Sequence, residues 1–146
     1  HFEVADLTDN DWDEKLTKQS FDMVLSFAVM HHLAGSEFRV EFLKKIYALL
    51  KPGGEFIHSH WQFLNSNRLA ARVQPWEKID LQASDVEPGD YLLDWKRGGT
   101  AYRYVHQYSS EELVALAKQA RFSVIDEFSS DGEGGNLGLY QRWCKE

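Results

Sequence analysis

The chain has 146 residues, of which 43% are apolar and 14% aromatic, so it can form one globular domain with its own core and is not disordered as a whole. Its 16 basic and 23 acidic residues give a net charge of -7, which disfavours non-specific nucleic-acid binding through bulk charge. No apolar run approaches the roughly eighteen residues that a membrane-spanning helix needs. The lone Cys144 is typical of a reducing compartment, so we expect a cytoplasmic protein.

The first part of the chain predicts a strand, a helix and a strand, preceded by one short strand. Residues 2–6 indicate a brief strand that stops at an acid. Residues 21–30 are almost continuously apolar, which is typical of a strand covered on both faces in a parallel sheet, with a buried helix as the alternative. From Ser36 apolar residues recur at helical spacing until a Pro-Gly-Gly turn at 52–54, and residues 55–61 indicate the next strand. This order predicts a right-handed βαβ unit with parallel strands.

The second part of the chain predicts a long connection, a helix and a hairpin. Residues 62–108 combine scattered aromatic and basic residues with turn signals, and a connection of this length usually carries function. Ser109 and Glu112 form a capping-box pattern that predicts a helix over about 110–120. Two further strands are predicted over 122–128 and 137–143, joined by a loop rich in Gly, Ser and acids.

The order of these motifs resembles one known family. A strand with the pattern Asp22-x-Val24-x-Ser26, the pair His31-His32, and a helix that closes with Leu-Leu-Lys-Pro-Gly-Gly at 49–54 closely resemble the fourth and fifth strand region of class I S-adenosylmethionine-dependent methyltransferases. The resemblance implies an α/β fold with an incomplete Rossmann-like sheet, mostly parallel, that ends in an antiparallel hairpin. Residues 2–6 then correspond to the third strand of the family.

The resemblance also implies a cofactor site for S-adenosylmethionine. Asp6 would lie near the adenine amino group with Leu7 beside the ring, and Ser26, Phe27 and Ala28 would lie under the methionine and ribose portion, because ligands of open α/β sheets bind at the carboxyl ends of the strands. The alternative for Asp6 is a solvated acid in an acidic loop. The alternative for the other three is a buried strand, which is compatible with the cofactor role.

The chain departs from the family in its first half. The glycine-rich cofactor loop after the first strand and the ribose-binding acid after the second strand have no counterpart, and the glycine-rich stretch at 132–138 is not followed by a helix that would bind an anion. We therefore predict one methyltransferase-like domain over 1–146 that lacks the N-terminal glycine-rich half and supplies the second half of a cofactor site.

Several histidines are candidates for chemistry. His31 or His32 is predicted to act as general base. His58 and His60 would project from one face of a strand about 7 Å apart, where they line the substrate side of the cleft or pack within the sheet. Carboxylates and thiols at ligand spacing are lacking, so we expect no metal site.

A second, weaker resemblance concerns the long connection. Residues 90–97 and 102–109 look like a region of the tRNA methyltransferases that esterify a carboxymethyl group on the wobble uridine, which carry R-Y-x-H-x-F/Y before their last helix. The resemblance implies that Arg103, Tyr104 and His106 contact the substrate, with Arg103 holding a carboxylate. Lys96, Arg97 and Arg103 form a basic patch among aromatic residues, although a solvated charged strand facing the acidic loops explains them equally well.

Two functions from different classes follow. The first is methyl transfer from S-adenosylmethionine to an oxygen or nitrogen of a small molecule or a tRNA base, by a partial or divergent enzyme. The second is a non-catalytic methyltransferase-like module that pairs with another copy as a homodimer or with a complementing N-terminal chain. The sequence does not identify the methyl acceptor or the oligomeric state.

Overall fold

A computed structural model describes residues 2–95, 99 and 101–146. Over these residues the strands and helices are, in chain order, β1 (Phe21–Phe27), α1 (Ser36–Leu49), β2 (Leu50–Trp61), α2 (Asn67–Ala70), β3 (Val73–Gln74), β4 (Asp90–Trp95), β5 (Ala101–His106), α3 (Ser110–Gln119), β6 (Phe122–Ser130) and β7 (Gly138–Lys145). Short 3-10 turns lie at Met30–His32, Phe63–Asn65, Trp76–Ile79 and Ala83–Asp85. The predicted basic residues Lys96 and Arg97 lie outside the described part of the chain.

The main sheet has the order β1-β2-β7-β6 within the described residues. β1 and β2 pair in parallel through the α1 crossover, whereas β7 is antiparallel to both β2 and β6. The α/β class and the C-terminal antiparallel hairpin are confirmed. The expectation of a mostly parallel sheet overstates the parallel pairing, because β1 and β2 are the one parallel pair among the described strands.

The prediction of a strand over residues 2–6 is wrong for this structure. The segment has no regular secondary structure, and Phe2 and Val4 are fully exposed. A strand needs a neighbour to receive its backbone hydrogen bonds, and within the described residues the segment has none beside it. The chain instead turns at Asp6, whose carboxylate accepts hydrogen bonds from the Thr8 amide at 2.9 Å and hydroxyl at 2.7 Å.

The helix α1 and the following strand form as the βαβ pattern predicts, but the Pro-Gly-Gly turn belongs to β2. Gly53 has φ +74°, which suits glycine, and the pairing register with β1 shifts between Phe21 and Met23. Gly54 lies so close to the backbone that an added Cβ would be 2.9 Å from the Lys51 carbonyl oxygen. The turn therefore forms an irregular first part of β2.

The main core lies between the sheet and the helices α1 and α3. Leu43 and Ile46 of α1, Leu113 of α3, Phe56 of β2 and Trp143 of β7 are buried in one cluster. The helix residues among them belong to the apolar repeats that predict α1 and α3, and their burial supplies most of the stability of the two helices. No helix in the described ranges is long and apolar enough to cross a membrane.

The long connection folds into a smaller antiparallel sheet of order β3-β4-β5. Leu93 and Val105 of this sheet pack with Phe63 and Leu69 in a second buried cluster. The second cluster explains the scattered aromatic residues of this segment, which carry no simple helical or strand period.

Half of the predicted capping box is present at the start of α3. The Ser109 hydroxyl accepts the Glu112 amide proton at 3.1 Å, which supports the cap. The Glu112 carboxylate lies 2.8 Å from His106 Nε2. The Glu112 carboxylate thus contacts His106 on β5, whereas the capping-box pattern predicts that it accepts the Ser109 backbone N–H at the helix terminus.

The second face of the main sheet is uncovered along β1. Met23, Leu25 and Phe27 alternate on this face and are 48%, 57% and 50% exposed, whereas Val24 on the other face packs against the core. The Phe27 ring lies 6.3 Å from Tyr140 of β7, and Phe128 of β6 stacks on Tyr140 at 4.9 Å. We call the surface formed by these residues the open face.

Candidate active site

A cleft of about 530 Å³ lies at the carboxyl ends of β1 and β2. The small sheet and the start of β7 form its other walls, and the lining side chains include Ala28, His31, His32, Arg72, Trp95 and Arg103. Open α/β sheets bind ligands at this end of their strands. The cleft therefore brings together one predicted cofactor residue, both predicted catalytic histidines and one predicted substrate residue.

The end of β1 has a strained backbone. Ala28 adopts φ +56°, a left-handed conformation that costs energy for a residue with a Cβ. Its amide donates to the Ser59 carbonyl oxygen at 3.1 Å and approaches the Ser59 hydroxyl oxygen at 3.2 Å. Strain of this kind persists where surrounding contacts hold it, and it often marks functional sites. Ser59 was not singled out by the sequence, because a serine inside a strand carries no distinguishing pattern.

The other two residues predicted at the end of β1 differ in their surroundings. Ser26 is buried, and its hydroxyl has no hydrogen-bond partner among the described residues. Phe27 is half exposed on the open face. The side of β1 away from α1 is thus free to contact a ligand through Phe27.

His31 is held as a hydrogen-bond donor. Its Nδ1 accepts the Trp61 backbone N–H at 3.2 Å, so the proton of the neutral ring lies on Nε2. Burial, together with the nearby charges of His32, Arg103 and His106, lowers the pKa of His31 to about 3. A ring in this state has an N–H to offer and no available lone pair, so His31 is unsuited to act as a base.

His32 has the opposite arrangement. Its Nδ1 lies 3.1 Å from the Tyr104 carbonyl oxygen, which can accept but not donate, so Nδ1 carries the proton and Nε2 keeps its lone pair. The side chain is exposed in the cleft. Partial burial lowers the pKa of His32, opposed by the Tyr104 hydrogen bond and assisted by Arg103. At neutral pH His32 is an uncharged ring, and its basic Nε2 has no hydrogen-bond partner among the described residues.

His58 and His60 form a buried pair rather than a free ligand set. His58 Nδ1 lies 2.7 Å from His60 Nε2, and the His58 ring packs against Trp143 at 4.3 Å. Burial lowers the pKa of His58 to about 3 and lowers the pKa of His60 well below its usual value. Across the described residues no group of three or more His, Cys, Asp or Glu side chains is arranged to hold a metal ion.

Two arginines line the cleft with different pairing. The Arg103 guanidinium lies 4.2 Å from the Trp95 ring centroid and 5.7 Å from that of Trp61. Arg72 Nε donates to the Asp94 carboxylate at 2.7 Å. Arg72 was missed by the sequence, because its position beside Arg103 depends on the pairing of β3, β4 and β5 within the small sheet.

The predicted substrate residues Tyr104 and His106 point away from the cleft. Alternation along β5 directs them toward α1, where the Tyr104 hydroxyl donates to Asp90 at 2.6 Å and His106 Nδ1 lies 2.6 Å from the same oxygen. His106 is 1% exposed and its other nitrogen faces Glu112. Arg39 joins this cluster through Tyr104 and Glu87. Both residues are therefore placed to support β5 rather than to touch a ligand in the cleft.

The predicted adenine-side residues lie in the N-terminal segment. Asp6 is exposed, and its hydrogen bonds from Thr8 lower the pKa of its carboxyl group. Leu7 packs against the main core. Neither residue lines the cleft described above.

Sequence comparisons identify related proteins. A family model described as a methyltransferase domain matches residues 1–56. A putative methyltransferase of Encephalitozoon cuniculi is 33% identical over 107 residues, which are 73% of this chain and 47% of that protein. A probable tRNA methyltransferase 9B of Mus musculus is 30% identical over 63 residues, which are 41% of this chain and 14% of that protein.

Structural comparisons identify the same architecture. A crystal structure of an S-adenosylmethionine-dependent methyltransferase from Methanosarcina mazei superposes with a TM-score of 0.71 at 21% identity, over 99% of this chain and 66% of that one. The 1,6-didemethyltoxoflavin-N1-methyltransferase of Burkholderia thailandensis, solved with S-adenosylhomocysteine, gives a TM-score of 0.59 at 20% identity, over 91% of this chain and 47% of that one. The chain thus spans less than half of its Encephalitozoon relative and about two thirds of the Methanosarcina structure.

Proposed function

Because the chain belongs to the class I S-adenosylmethionine-dependent methyltransferases, we propose that it forms the acceptor side of an enzyme that methylates an oxygen or nitrogen atom. The observation that carries the proposal is the free Nε2 lone pair of His32 in a cleft at the carboxyl ends of β1 and β2. We further propose that residues 1–146 are one domain whose glycine-rich half lies on another segment or chain.

The end of β1 fits one wall of a cofactor site. Ala28 lines the cleft with a backbone held by Ser59, and the exposed Phe27 ring offers an apolar surface beside it. These residues would contact the methionine and ribose side, while Asp6 and Leu7 would reach the adenine side through the N-terminal segment. S-adenosylmethionine bound there would supply an electrophilic methyl carbon, with its sulfur as the leaving atom.

The chain's own residues handle the proton and the orientation of the acceptor. An acceptor hydroxyl or amine loses its proton to His32 Nε2. The Tyr104 carbonyl oxygen accepts a hydrogen bond from His32 Nδ1–H and stabilises the imidazolium that forms. His31 Nε2–H donates a hydrogen bond into the cleft and orients the acceptor. Such transfer depends mainly on position and on exclusion of water.

The acceptor is a small molecule or a tRNA base. The mouse relative's name refers to tRNA, and the Arg103 region resembles enzymes that modify the wobble uridine. Trp61 and Trp95 would suit a planar ring as well as they suit the Arg103 guanidinium. The net charge of -7 favours a local contact over a broad phosphate-binding surface.

Replacing each histidine separately tests the proposal. With the chain joined to its complementing half, His32→Gln should reduce methyl transfer from radiolabelled S-adenosylmethionine by about 100-fold or more, because the base is lost. His31→Gln should have a smaller effect, since a glutamine amide still donates a hydrogen bond. Equal losses in the two variants would contradict the assignment. Nitrogen NMR of the chain adds a readout without turnover: His32 should carry its proton on Nδ1, and His31 on Nε2.

The second candidate function is the pairing module. The open face favours it, because Met23, Leu25 and Phe27 expose apolar area that a monomer normally covers. The partner is either a second copy of the chain or a complementing N-terminal chain.

A further inference from the structure

We propose that Asp131 is a positioning residue of the cleft, which holds Ala28 in its left-handed conformation through a chain of hydrogen bonds across the main sheet. The intermediate links of this chain are the side chains of Tyr140 and Ser59. The inference rests on the proposed function, because Ala28 belongs to the proposed cofactor wall and precedes the turn that carries His32.

Two residues that line the cleft have left-handed backbones although both carry a side chain. Ala28 follows β1 and has φ +56°, and Asp131 follows β6 and has φ +69°. Such a conformation costs energy for a residue other than glycine, so surrounding contacts must hold it. β1 and β6 are the two outer strands of the main sheet, and β2 and β7 lie between them.

The first link joins Ala28 to β2. The Ala28 amide lies 3.2 Å from the Ser59 hydroxyl oxygen as well as 3.1 Å from the Ser59 carbonyl oxygen. Because the amide donates, the hydroxyl oxygen accepts, and the hydroxyl proton remains to be donated to another group.

The second link crosses from β2 to β7. Ser59 and Tyr140 are directly opposite each other in the antiparallel ladder, where side chains on one face are close neighbours. The hydrogen bond to Asp131, burial and the Asp131 charge raise the pKa of Tyr140, whereas a hydrogen bond from Ser59 lowers it. A hydrogen bond that favours the phenolate is one that the Ser59 hydroxyl donates.

The third link ends the chain at a carboxylate. The Tyr140 hydroxyl donates to Asp131 Oδ2. Gly138 leaves room for this contact, because an added Cβ would lie 2.7 Å from Asp131 Oδ2 and 2.7 Å from Tyr140 Cε2. Each donor therefore points the same way, from the Ala28 amide toward the Asp131 charge, and hydrogen bonds in such a series strengthen one another.

The chain acts on the site through the backbone of Ala28. This residue lies between Phe27, at the end of β1, and the 3-10 turn Met30–His32. Its left-handed φ sets the direction in which the backbone leaves the strand, and so the starting point of the turn that carries the base. Asp131 thus supports the cofactor wall and the base from the opposite edge of the sheet.

Amide hydrogen exchange of the isotopically labelled chain, followed by NMR, tests this role. Asp131→Ala should speed exchange of the Ala28 amide about fivefold relative to that of the core residue Phe56, because a hydrogen bond that holds the closed state is lost. Asp131→Asn should speed it less, since the amide oxygen can still accept the Tyr140 proton. Glu133→Ala removes an exposed acid from the same loop and should leave the Ala28 amide unchanged.

A variant at the middle of the chain separates this role from a local one. Tyr140→Phe should speed Ala28 exchange about as much as Asp131→Ala, and the double variant should exchange no faster than either single variant, because all three break the same chain. An unchanged Ala28 amide in Asp131→Ala, with faster exchange confined to residues 132–137, would overturn the inference. Additive effects in the double variant, or an equal effect of Glu133→Ala, would overturn it as well. The exchange rates need neither cofactor nor turnover, so their failure is distinguishable from failure of the proposed methyl transfer.

Discussion

At the residue scale, His31 and His32 are neighbours in sequence with opposite hydrogen-bonding roles. The Trp61 amide donates to His31 Nδ1, whereas the Tyr104 carbonyl accepts from His32 Nδ1. Each backbone group sets the tautomer of the ring it meets. The other ring nitrogen, Nε2, is consequently a donor in His31 and an acceptor in His32.

The buried histidines make stability depend on pH. Burial lowers the pKa of His31 and His58 to about 3 and that of His60 well below its usual value. In the unfolded chain these rings titrate near pH 6.5, so the unfolded state binds more protons from about pH 6.5 down to about pH 3. The free energy of unfolding should be highest above this window and fall on acidification, by about 1 kcal/mol for each ring between pH 7 and 5.5.

Urea unfolding at pH 7 and 5.5 measures this loss. His58→Phe replaces one ring with an apolar one against Phe56 and Trp143, and it should reduce the loss by about one ring's share. A wild-type stability that does not change between the two pH values would contradict the expectation.

At the element scale, β5 carries the cleft on one face and a buried charge cluster on the other. Arg103 faces the cleft, while Tyr104 and His106 meet Asp90 on the opposite side. Asp90 also accepts the Glu87 amide at 3.0 Å and lies 3.8 Å from Arg39. The cluster therefore fixes the strand whose Tyr104 carbonyl orients His32.

Asp90→Asn should destabilise the protein substantially. The change keeps the shape but removes the negative charge that lies beside the buried Arg39 guanidinium, and this costs about 3 kcal/mol. Urea unfolding at pH 7 gives the free energy of unfolding. The exposed pair of Glu41 and Lys44 on α1 provides the control, because Glu41→Gln should cost less than about 1 kcal/mol. Similar costs in the two variants would show that the cluster is not a special support.

At the scale of the whole molecule, the main sheet is covered on one face and open on the other. The helices α1 and α3 bury the face that carries Phe56 and Trp143, while the open face exposes Met23, Leu25 and Phe27. Exposed apolar area of this kind favours association, because burying it releases about 25 cal/mol per Å². The open face is thus the surface where a complementing segment or second copy is expected.

Self-association of the chain should depend on the open face. Leu25→Lys places a charge at a 57% exposed position, so it should lower association in sedimentation equilibrium with little loss of folded stability. Val114→Lys, at a 47% exposed position on α3, is the matched control and should have no such effect. Equal association in the wild type and in Leu25→Lys would argue against the open face as an interface.

Local pattern accounts for much of the fold. The apolar run of β1, the helical repeats of α1 and α3 and the glycine-rich loop before β7 are all visible in the sequence, because the local spacing of apolar and turn residues reports directly on helix and strand periods. The strand predicted over residues 2–6 failed because a strand also needs a neighbour, which local pattern does not report.

The sequence by itself determined the family, the βαβ unit, the C-terminal hairpin and the candidates His31, His32 and Arg103, since these rest on residue order. The tertiary structure decided which histidine keeps a free lone pair, that Tyr104 and His106 turn inward, and that Arg72 and Ser59 join the cleft. Each of these outcomes depends on groups distant in sequence, such as the contact of His32 with the Tyr104 carbonyl oxygen across 72 positions. Hydrogen-bond direction and charge pairing are set by such contacts, and they arise when the chain has packed.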